Sequence, residues 1–189
     1  MDILLRHLES IHPLSDELRE YLLNHVRCRE ITKRDYLLKA GSVSRHVCFI
    51  VSGLLRCFYV KNDSDAEVSS WFMKEGDVVF SIESFYTQTP SYESIQALED
   101  TQVFYISFEE LEFIYQQFPE FNFIGRVLTI HYHKLWGEQL YSIRMHTGKQ
   151  RYEWLLNNHA ELLQRVPAKY LASYLDITEI SLSRIKGQL

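Results

Sequence analysis

The chain has 189 residues, of which 46% are hydrophobic and 24% charged, and it includes 12 Tyr and 11 Phe. This composition supplies enough apolar surface for a folded core and excludes an intrinsically disordered protein. The net charge of −5 excludes a generally basic protein, but residues 147–189 carry six Lys/Arg against four Asp/Glu, so an anionic partner would bind at that end.

The apolar runs and the cysteines both point to the cytoplasm. The longest uncharged apolar stretch, Val47–Leu55, is far shorter than the roughly 18 to 20 residues that span a bilayer. The three cysteines form no CxxC pair, so neither a disulfide framework nor a zinc or iron–sulfur site is indicated. We therefore expect a cytoplasmic protein that does not contact the membrane.

Two short helices and then a set of short strands are predicted for residues 1–106. Helical spacing of apolar residues is interrupted at Pro13 and restarts at Ser15, a candidate N-cap. The period then changes to two, which predicts an antiparallel barrel or roll. The predicted strands are residues 36–39, 47–51, 54–60, 68–73, 94–98 and 102–106.

A long helix is predicted after the roll. Ser107 is a candidate N-cap for one helix, and Pro119 begins the next, which extends from Glu120 to about His146. At ~1.5 Å per residue this helix would be roughly 40 Å long, so its apolar stripe must be buried elsewhere, and a second copy in a C2 dimer is the favoured partner. The predicted dimer seam has nearly seven-residue spacing and comprises Ile124, Val127, Leu128, His131 and Leu135.

The last 24 residues predict a helix-turn-helix. A tight break at Asp176 separates two short helices, and Thr178 is a candidate N-cap of the second, which would bury Leu182, Ile185 and Leu189. Its opposite face carries groups that can contact base edges in the major groove, and two nearby lysines can contact phosphates. A helical hairpin with a solvated outer face is the alternative. The predicted DNA-binding residues are Glu179, Ile180, Ser183, Arg184, Gln188, Lys169 and Lys186.

Neither a metal centre nor an enzyme is indicated. His131 and His133 lie in a predicted helix, where residues two apart point ~200° apart, and His46 is the only histidine in the roll segment. A nucleophile elbow, a Walker loop and a dinucleotide-binding glycine set are all missing from the sequence. We expect no enzymatic activity, no metal and no cofactor.

Five segments carry a resemblance to a known family: Phe49–Gly53, Glu75–Val79, Ala97–Leu111, Leu171–Ile185 and the VPAKYLA stretch from Val166. Over nearly its whole length the chain resembles the bacterial Crp/Fnr transcription factors, in particular the short members found in Bacteroidetes. The resemblance implies an α+β fold in which residues 1–118 form an antiparallel β-roll, a double-stranded β-helix of the cyclic-nucleotide-binding type with flanking helices. It further implies a dimerisation helix at 119–146 and a helix-turn-helix at 147–189 without a C-terminal wing.

The residues with which members of this family bind a cyclic nucleotide are missing from this sequence. Members that bind cyclic nucleotides carry a Gly-Glu pair shortly after the Gly-Asp turn, and later an Arg that neutralises the cyclic phosphate. Aligned on Gly76-Asp77, the pair falls on Phe80-Ser81 and the Arg falls within residues 91–93 (SYE). Because a buried phosphate without a cationic partner is strongly disfavoured, we expect an effector other than cyclic AMP.

The segment that holds these positions, residues 80–92, is called the cassette. Its side chains suit an uncharged or aromatic small molecule, or equally a self-packed loop with no ligand. Arg56 on a preceding strand is the nearest cation, and the alternation around it leaves its orientation open. The sequence thus predicts a homodimeric transcription regulator that binds double-stranded DNA and senses an unidentified effector; the alternative is a ligand sensor that acts through protein contacts. The candidate effector residues are Phe80, Ser81, Ser84, Phe85, Ser91, Tyr92 and Arg56.

Overall fold

The computed structural model describes residues 1–188, so Leu189, which was expected to be buried, lies outside the described residues. The chain forms two compact units. The first comprises Met1–Cys57 with Met73–Ile130, and the second comprises Phe58–Phe72 with the chain from His131 onward. No helix within residues 1–188 is long and apolar enough to cross a membrane.

Eight strands form two four-stranded sheets, which confirms the predicted antiparallel roll. The first sheet has the strand order β1-β8-β3-β6 and the second β2-β7-β4-β5. The strands are β1 Arg27–Ile31, β2 Tyr36–Leu38, β3 His46–Ser52, β4 Leu54–Val60, β5 Glu67–Lys74, β6 Val78–Val79, β7 Glu93–Ala97 and β8 Thr101–Ser107.

Two of these strands were not predicted, for different reasons. In β1 only Ile31 is buried, so the strand lacks the alternation that marks a half-buried sheet. Strand β6 has only two residues, too few to show a period. Both nevertheless pair in the first sheet, with Arg29 opposite Val103 and Cys48 opposite Val79.

The first sheet has two distinct faces. One carries Cys48, Ile50 and Val103, which are all buried. The opposite face carries Phe49 and Ile106, which join the hydrophobic core formed with the helices of the first unit. These helices are α1 (Asp2–Glu9), α2 (Asp16–His25), α3 (Ile82–Thr87), α4 (Phe108–Gln117) and the start of α5 (Pro119–Met145).

Helix caps hold the predicted boundaries. The Ser15 hydroxyl accepts a hydrogen bond from the Leu18 amide at 3.2 Å. Ser107 and Glu110 form a reciprocal capping box at the start of α4. Helix α5 begins at Pro119, as the sequence predicts, because a proline in the first turn lacks only an amide that would have no helical acceptor.

The position of the apolar seam on α5 requires a correction. Ile124 is completely buried and Leu128 packs against the same core, so both contact their own chain rather than being available to a second copy. Val127 and Leu135 are half-buried, whereas His131 is exposed. Ile124 and Leu128 therefore pack within their own chain, while the dimer contacts of Val127, His131 and Leu135 stay a prediction.

The second unit contains the predicted helix-turn-helix. Its helices are α6 (Gly148–Asn158), α7 (Ala160–Arg165), α8 (Ala168–Tyr174) and α9 (Glu179–Lys186). Thr178 caps α9, and Asp176 in the preceding turn has a φ of +50°, a conformation that Asp tolerates better than most residues. Leu182 is buried as expected, whereas Ile185, which was also expected to be buried, is half-buried; Leu171, Ala172 and Leu175 are buried as well.

Candidate functional site

Helix α9 presents an exposed face that is both polar and apolar. Ile180 exposes 67% of its surface, whereas Leu182, two residues further along the same short helix, is buried. The other residues predicted to contact bases are also exposed, as the amphipathic spacing predicts for an outer face. They are Glu179, Ser183, Arg184 and Gln188.

Within residues 1–188, the cations of this region are not neutralised by a carboxylate. Lys169 on α8 and Lys186 on α9 are exposed, as is Arg184. Within residues 1–188 none of these three side chains forms an ion pair with a carboxylate. Their charges are therefore free to attract an anionic partner, and the nearest carboxylate in sequence on this face is Glu179.

Arg151, a buried arginine that the sequence reasoning missed, organises the turn of the helix-turn-helix. From α6, its Nε donates to the Leu175 carbonyl at 2.8 Å and its Nη2 to the Asp176 carbonyl at 3.3 Å. Its Nη1 donates to the carbonyls of Ile143 at 3.1 Å and His146 at 2.6 Å, at the end of α5. One guanidinium thus joins the end of the long helix to the turn between α8 and α9.

A second set of contacts in this unit anchors α8. The Ser173 hydroxyl accepts from the Ser69 amide at 2.9 Å and donates to the Glu67 carbonyl at 3.2 Å. The rings of Phe72 and Tyr174 lie 5.2 Å apart, and burial raises the pKa of Tyr174 to about 12. The first helix of the helix-turn-helix is therefore fixed to strand β5 by a hydroxyl and an aromatic ring.

In the first unit, the serines of the predicted effector cassette are buried and form hydrogen bonds within the protein. Ser81, Ser84 and Ser91 are all buried. The hydroxyls of Ser81 and Ser91 lie 3.0 Å apart, and the Ser84 hydroxyl donates to the Thr89 carbonyl at 2.5 Å. A fourth serine, Ser44, joins this network because its amide donates to the Ser84 hydroxyl at 2.9 Å.

The aromatic residues of the cassette divide into an inner and an outer group. Phe85 is completely buried, and the ring of Phe80 meets it edge to face at 5.0 Å. Tyr92 is exposed, and its hydroxyl forms a hydrogen bond with Glu83 that raises the pKa of Tyr92. The structure therefore brings the serines, Phe80 and Phe85 together but leaves the predicted Tyr92 at the surface.

The orientation of Arg56, which the sequence left open, is inward. Arg56 is completely buried on β4. The neighbouring Cys57 is also buried, which raises the pKa of its thiol well above the usual value despite the opposing charge of Arg56. Burial likewise raises the pKa of Cys48 to about 12, whereas Cys28 is exposed on β1.

Among residues 1–188, no group of three or more His, Cys, Asp or Glu side chains is close enough together to hold a metal ion. His131 and His133 point to different sides of α5, and their nearest ring contacts are with Tyr132 and Trp136 respectively. The HxH pair of the sequence is thus not assembled into a chelate.

Comparison with known proteins places this geometry in context. Residues 28–118 match the family described as "Cyclic nucleotide-binding domain". The structure of the c-di-GMP responsive global regulator CLP from Xanthomonas campestris is similar, with a TM-score of 0.73, 16% identity and coverage of 92% of this chain and 91% of that one. Curated protein sequences give no match.

Two further solved structures show the same arrangement. FixK2 from Bradyrhizobium japonicum has a TM-score of 0.72 and 16% identity, with 87% of this chain and 84% of that chain covered. A CooA variant from Carboxydothermus hydrogenoformans has a TM-score of 0.71 and 19% identity, with 97% and 83% covered. The predicted resemblance is therefore confirmed at the level of the fold: residues 28–118 match the cyclic nucleotide-binding domain family, and the chain has the fold of the Crp/Fnr regulators.

Proposed function

We propose that this chain is a homodimeric DNA-binding transcription regulator without enzymatic activity, acting in the cytoplasm. The observation that carries the proposal is the outer face of α9, where an apolar Ile180 and an Arg184 that forms no ion pair with residues 1–188 lie exposed side by side. An arginine can pair with guanine, and an isoleucine can cover a thymine methyl group in the major groove. A solvated outer face would not need a large apolar side chain there.

Structures of similar fold support this role. CLP is described as a global regulator that links cell-cell signalling to virulence gene expression. The sensor domain of DNR from Pseudomonas aeruginosa, described as a transcriptional regulator, matches 68% of this chain with a TM-score of 0.55 and 18% identity. By analogy, we assign residues 1–118 to sensing, 119–146 to dimerisation and 147–189 to DNA binding.

The dimer is supported by an apolar stripe on α5 other than the one the sequence suggested. Ile130 is 50% exposed and Trp136 59%, and Leu140 and Tyr141 are exposed beside them. At ~100° per residue these four side chains cover a face centred roughly 160° from the predicted seam. A monomer would leave this stripe in water, whereas a second copy of the same helix would cover it.

We further propose that the effector is not cyclic AMP. Phe80 fills the place where the backbone of cyclic-nucleotide binders approaches the phosphate, and its ring packs on Phe85. Ser81 is buried and hydrogen-bonded to Ser91, so it offers no group to a ribose. A cyclic phosphate entering this cassette would have to break the serine network, and neither Phe80 nor Ser81 would supply a cation in return.

A mobility-shift assay with the DNA upstream of the protein's own gene tests the proposal. The wild type should retard this DNA in the presence of excess random competitor. Arg184→Glu should abolish the shift, whereas Lys149→Glu, an exposed reversal on α6, should retain specific binding. If the wild type gives no shift while its fold is intact, the chain is instead a ligand sensor that acts through protein contacts.

A further inference from the structure

The roll contains a cavity that the cyclic-nucleotide cassette does not explain. It measures about 110 Å³ and, of the residues predicted to bind an effector, only Phe80 lines it. Its floor is formed by buried apolar side chains, among them Leu38, Val79 and Ile95. At ~10–15 Å³ for each water-sized group, it has room for about eight non-hydrogen atoms.

The mouth of this cavity is cationic. Arg29 on β1, Arg45 before β3 and His46 at the start of β3 line it and are exposed. Within residues 1–188 neither Arg29 nor Arg45 forms an ion pair. The neighbouring Arg27 differs, because Glu110 pairs with it. Two guanidiniums thus surround the opening without a carboxylate bound to either.

The charges around His46 show that the mouth favours an anion. Although His46 is exposed, partial removal of its ring from water lowers its pKa, and the positive charges of Arg27 and Arg29 lower it further, while Glu110 and Glu109 oppose this only in part. The ring is therefore neutral at pH 7, and the electrostatic potential at the ring is positive. A carboxylate placed at the mouth would offset this positive potential and favour the protonated ring.

We propose that the cavity binds a small organic carboxylate, with its anionic group between Arg29 and Arg45 and its apolar body against Leu38, Val79 and Ile95. Arginine matches a carboxylate through paired hydrogen bonds, and the apolar floor matches a ring or a short alkyl chain. A bare phosphate would leave that floor in contact with water. This assignment of the effector class rests on the proposed role of the roll as a sensor.

Two residues that line the cavity also contact α3, the short helix of the cassette, within the first unit. Ser44 lines the cavity, and its amide donates to the hydroxyl of Ser84 on α3. Phe80 also lines it and packs against Phe85 and Tyr86 on the same helix. A ligand that displaces Ser44 or Phe80 would therefore move α3, which gives the bound carboxylate a route to alter the roll.

Calorimetry on the full chain without DNA tests the inference, with benzoate and hexanoate as probes and benzamide and hexanamide as their neutral counterparts. At least one carboxylate should bind saturably, and its amide should bind about tenfold or more weakly because the charge-assisted hydrogen bonds are lost. Arg29→Gln with Arg45→Gln should weaken the carboxylate by a similar factor. The control Arg34→Gln, an exposed arginine that does not line the cavity, should have no effect.

A second readout follows the ring of His46 by NMR, assigned with a His46→Gln variant. The bound carboxylate should raise the pKa of His46, and by linkage it should bind more tightly as the pH falls through the pKa that this ring has in the complex. Binding by neither carboxylate, or equal binding of acid and amide, would overturn the inference. Since neither readout uses DNA, a loss of DNA binding with intact carboxylate binding would refute the proposed function alone.

Discussion

At the scale of single residues, the candidate DNA-binding face combines two kinds of cation. Arg184 lies on the outer face of α9 together with Ile180, in a position to reach base edges. Lys169 lies exposed on α8, and we propose that it contacts the phosphate backbone. Base contacts confer sequence preference, whereas phosphate contacts confer affinity for any sequence, so the two residues should behave differently.

Arg184→Ala should weaken specific DNA binding by about 1–3 kcal/mol and relax selectivity at one base pair in each half-site. Lys169→Ala should weaken the binding of all sequences alike and reduce the dependence of the binding constant on salt. Fluorescence anisotropy over a range of salt concentrations measures both effects. If neither substitution changes binding while the fold is intact, the helix-turn-helix does not contact DNA.

Arg151 acts through structure rather than through DNA. Arg151→Met should lower the free energy of unfolding by about 2–4 kcal/mol, because four carbonyls in and around the turn lose their donor. The control Lys149→Met, on the same helix and exposed, should change it by less than about 0.5 kcal/mol. Urea denaturation checks both values, and similar stabilities for the two variants would show that Arg151 does not hold the turn.

At the scale of elements, the long helix α5 carries two apolar stripes with different roles. The stripe through Ile124 and Leu128 packs into the core of the first unit. The stripe through Ile130, Trp136 and Leu140 is exposed. The periodicity of the sequence predicts a seam through the first stripe, whereas the exposure of the second stripe in the folded chain makes it the one that we propose for the partner.

Ile130→Glu combined with Leu140→Glu should give a monomer, because a charge in each copy would be buried against its counterpart. His131→Glu, which lies in the originally predicted seam and on the other side of the helix, should leave the dimer intact. Light scattering distinguishes the two masses. A dimer that survives the double substitution and dissociates with His131→Glu would restore the predicted seam.

Cyclic AMP and cyclic GMP should show no saturable binding at micromolar concentrations, because the cassette containing Ser81, Ser84 and Ser91 already satisfies its own hydroxyls. Calorimetry on the wild type measures this directly. Saturable heat from either nucleotide would show that the serine network opens and that the buried Arg56 or another cation receives the phosphate.

At the scale of the whole molecule, the order of roll, long helix and helix-turn-helix could be predicted from the sequence, because caps and periods mark these elements locally. Ser107, Pro119 and Thr178 each begin a helix where expected. Contacts between distant segments could not be predicted. Arg151 and the cationic mouth at Arg29 and Arg45 owe their roles to which distant segments of the chain meet in space. No local pattern distinguishes these residues from ordinary surface cations.

Selection of binding sites from random-sequence DNA is the most direct test that this chain is a dimeric, sequence-specific regulator. We expect enrichment of an inverted repeat whose half-sites are centred about one helical turn, ~10 base pairs, or a multiple of it apart. Two copies should bind each duplex, and Arg184→Ala should fail to enrich the same repeat. Recovery of no preferred sequence by the folded wild type, or of a single unrepeated site bound by one copy, would contradict it.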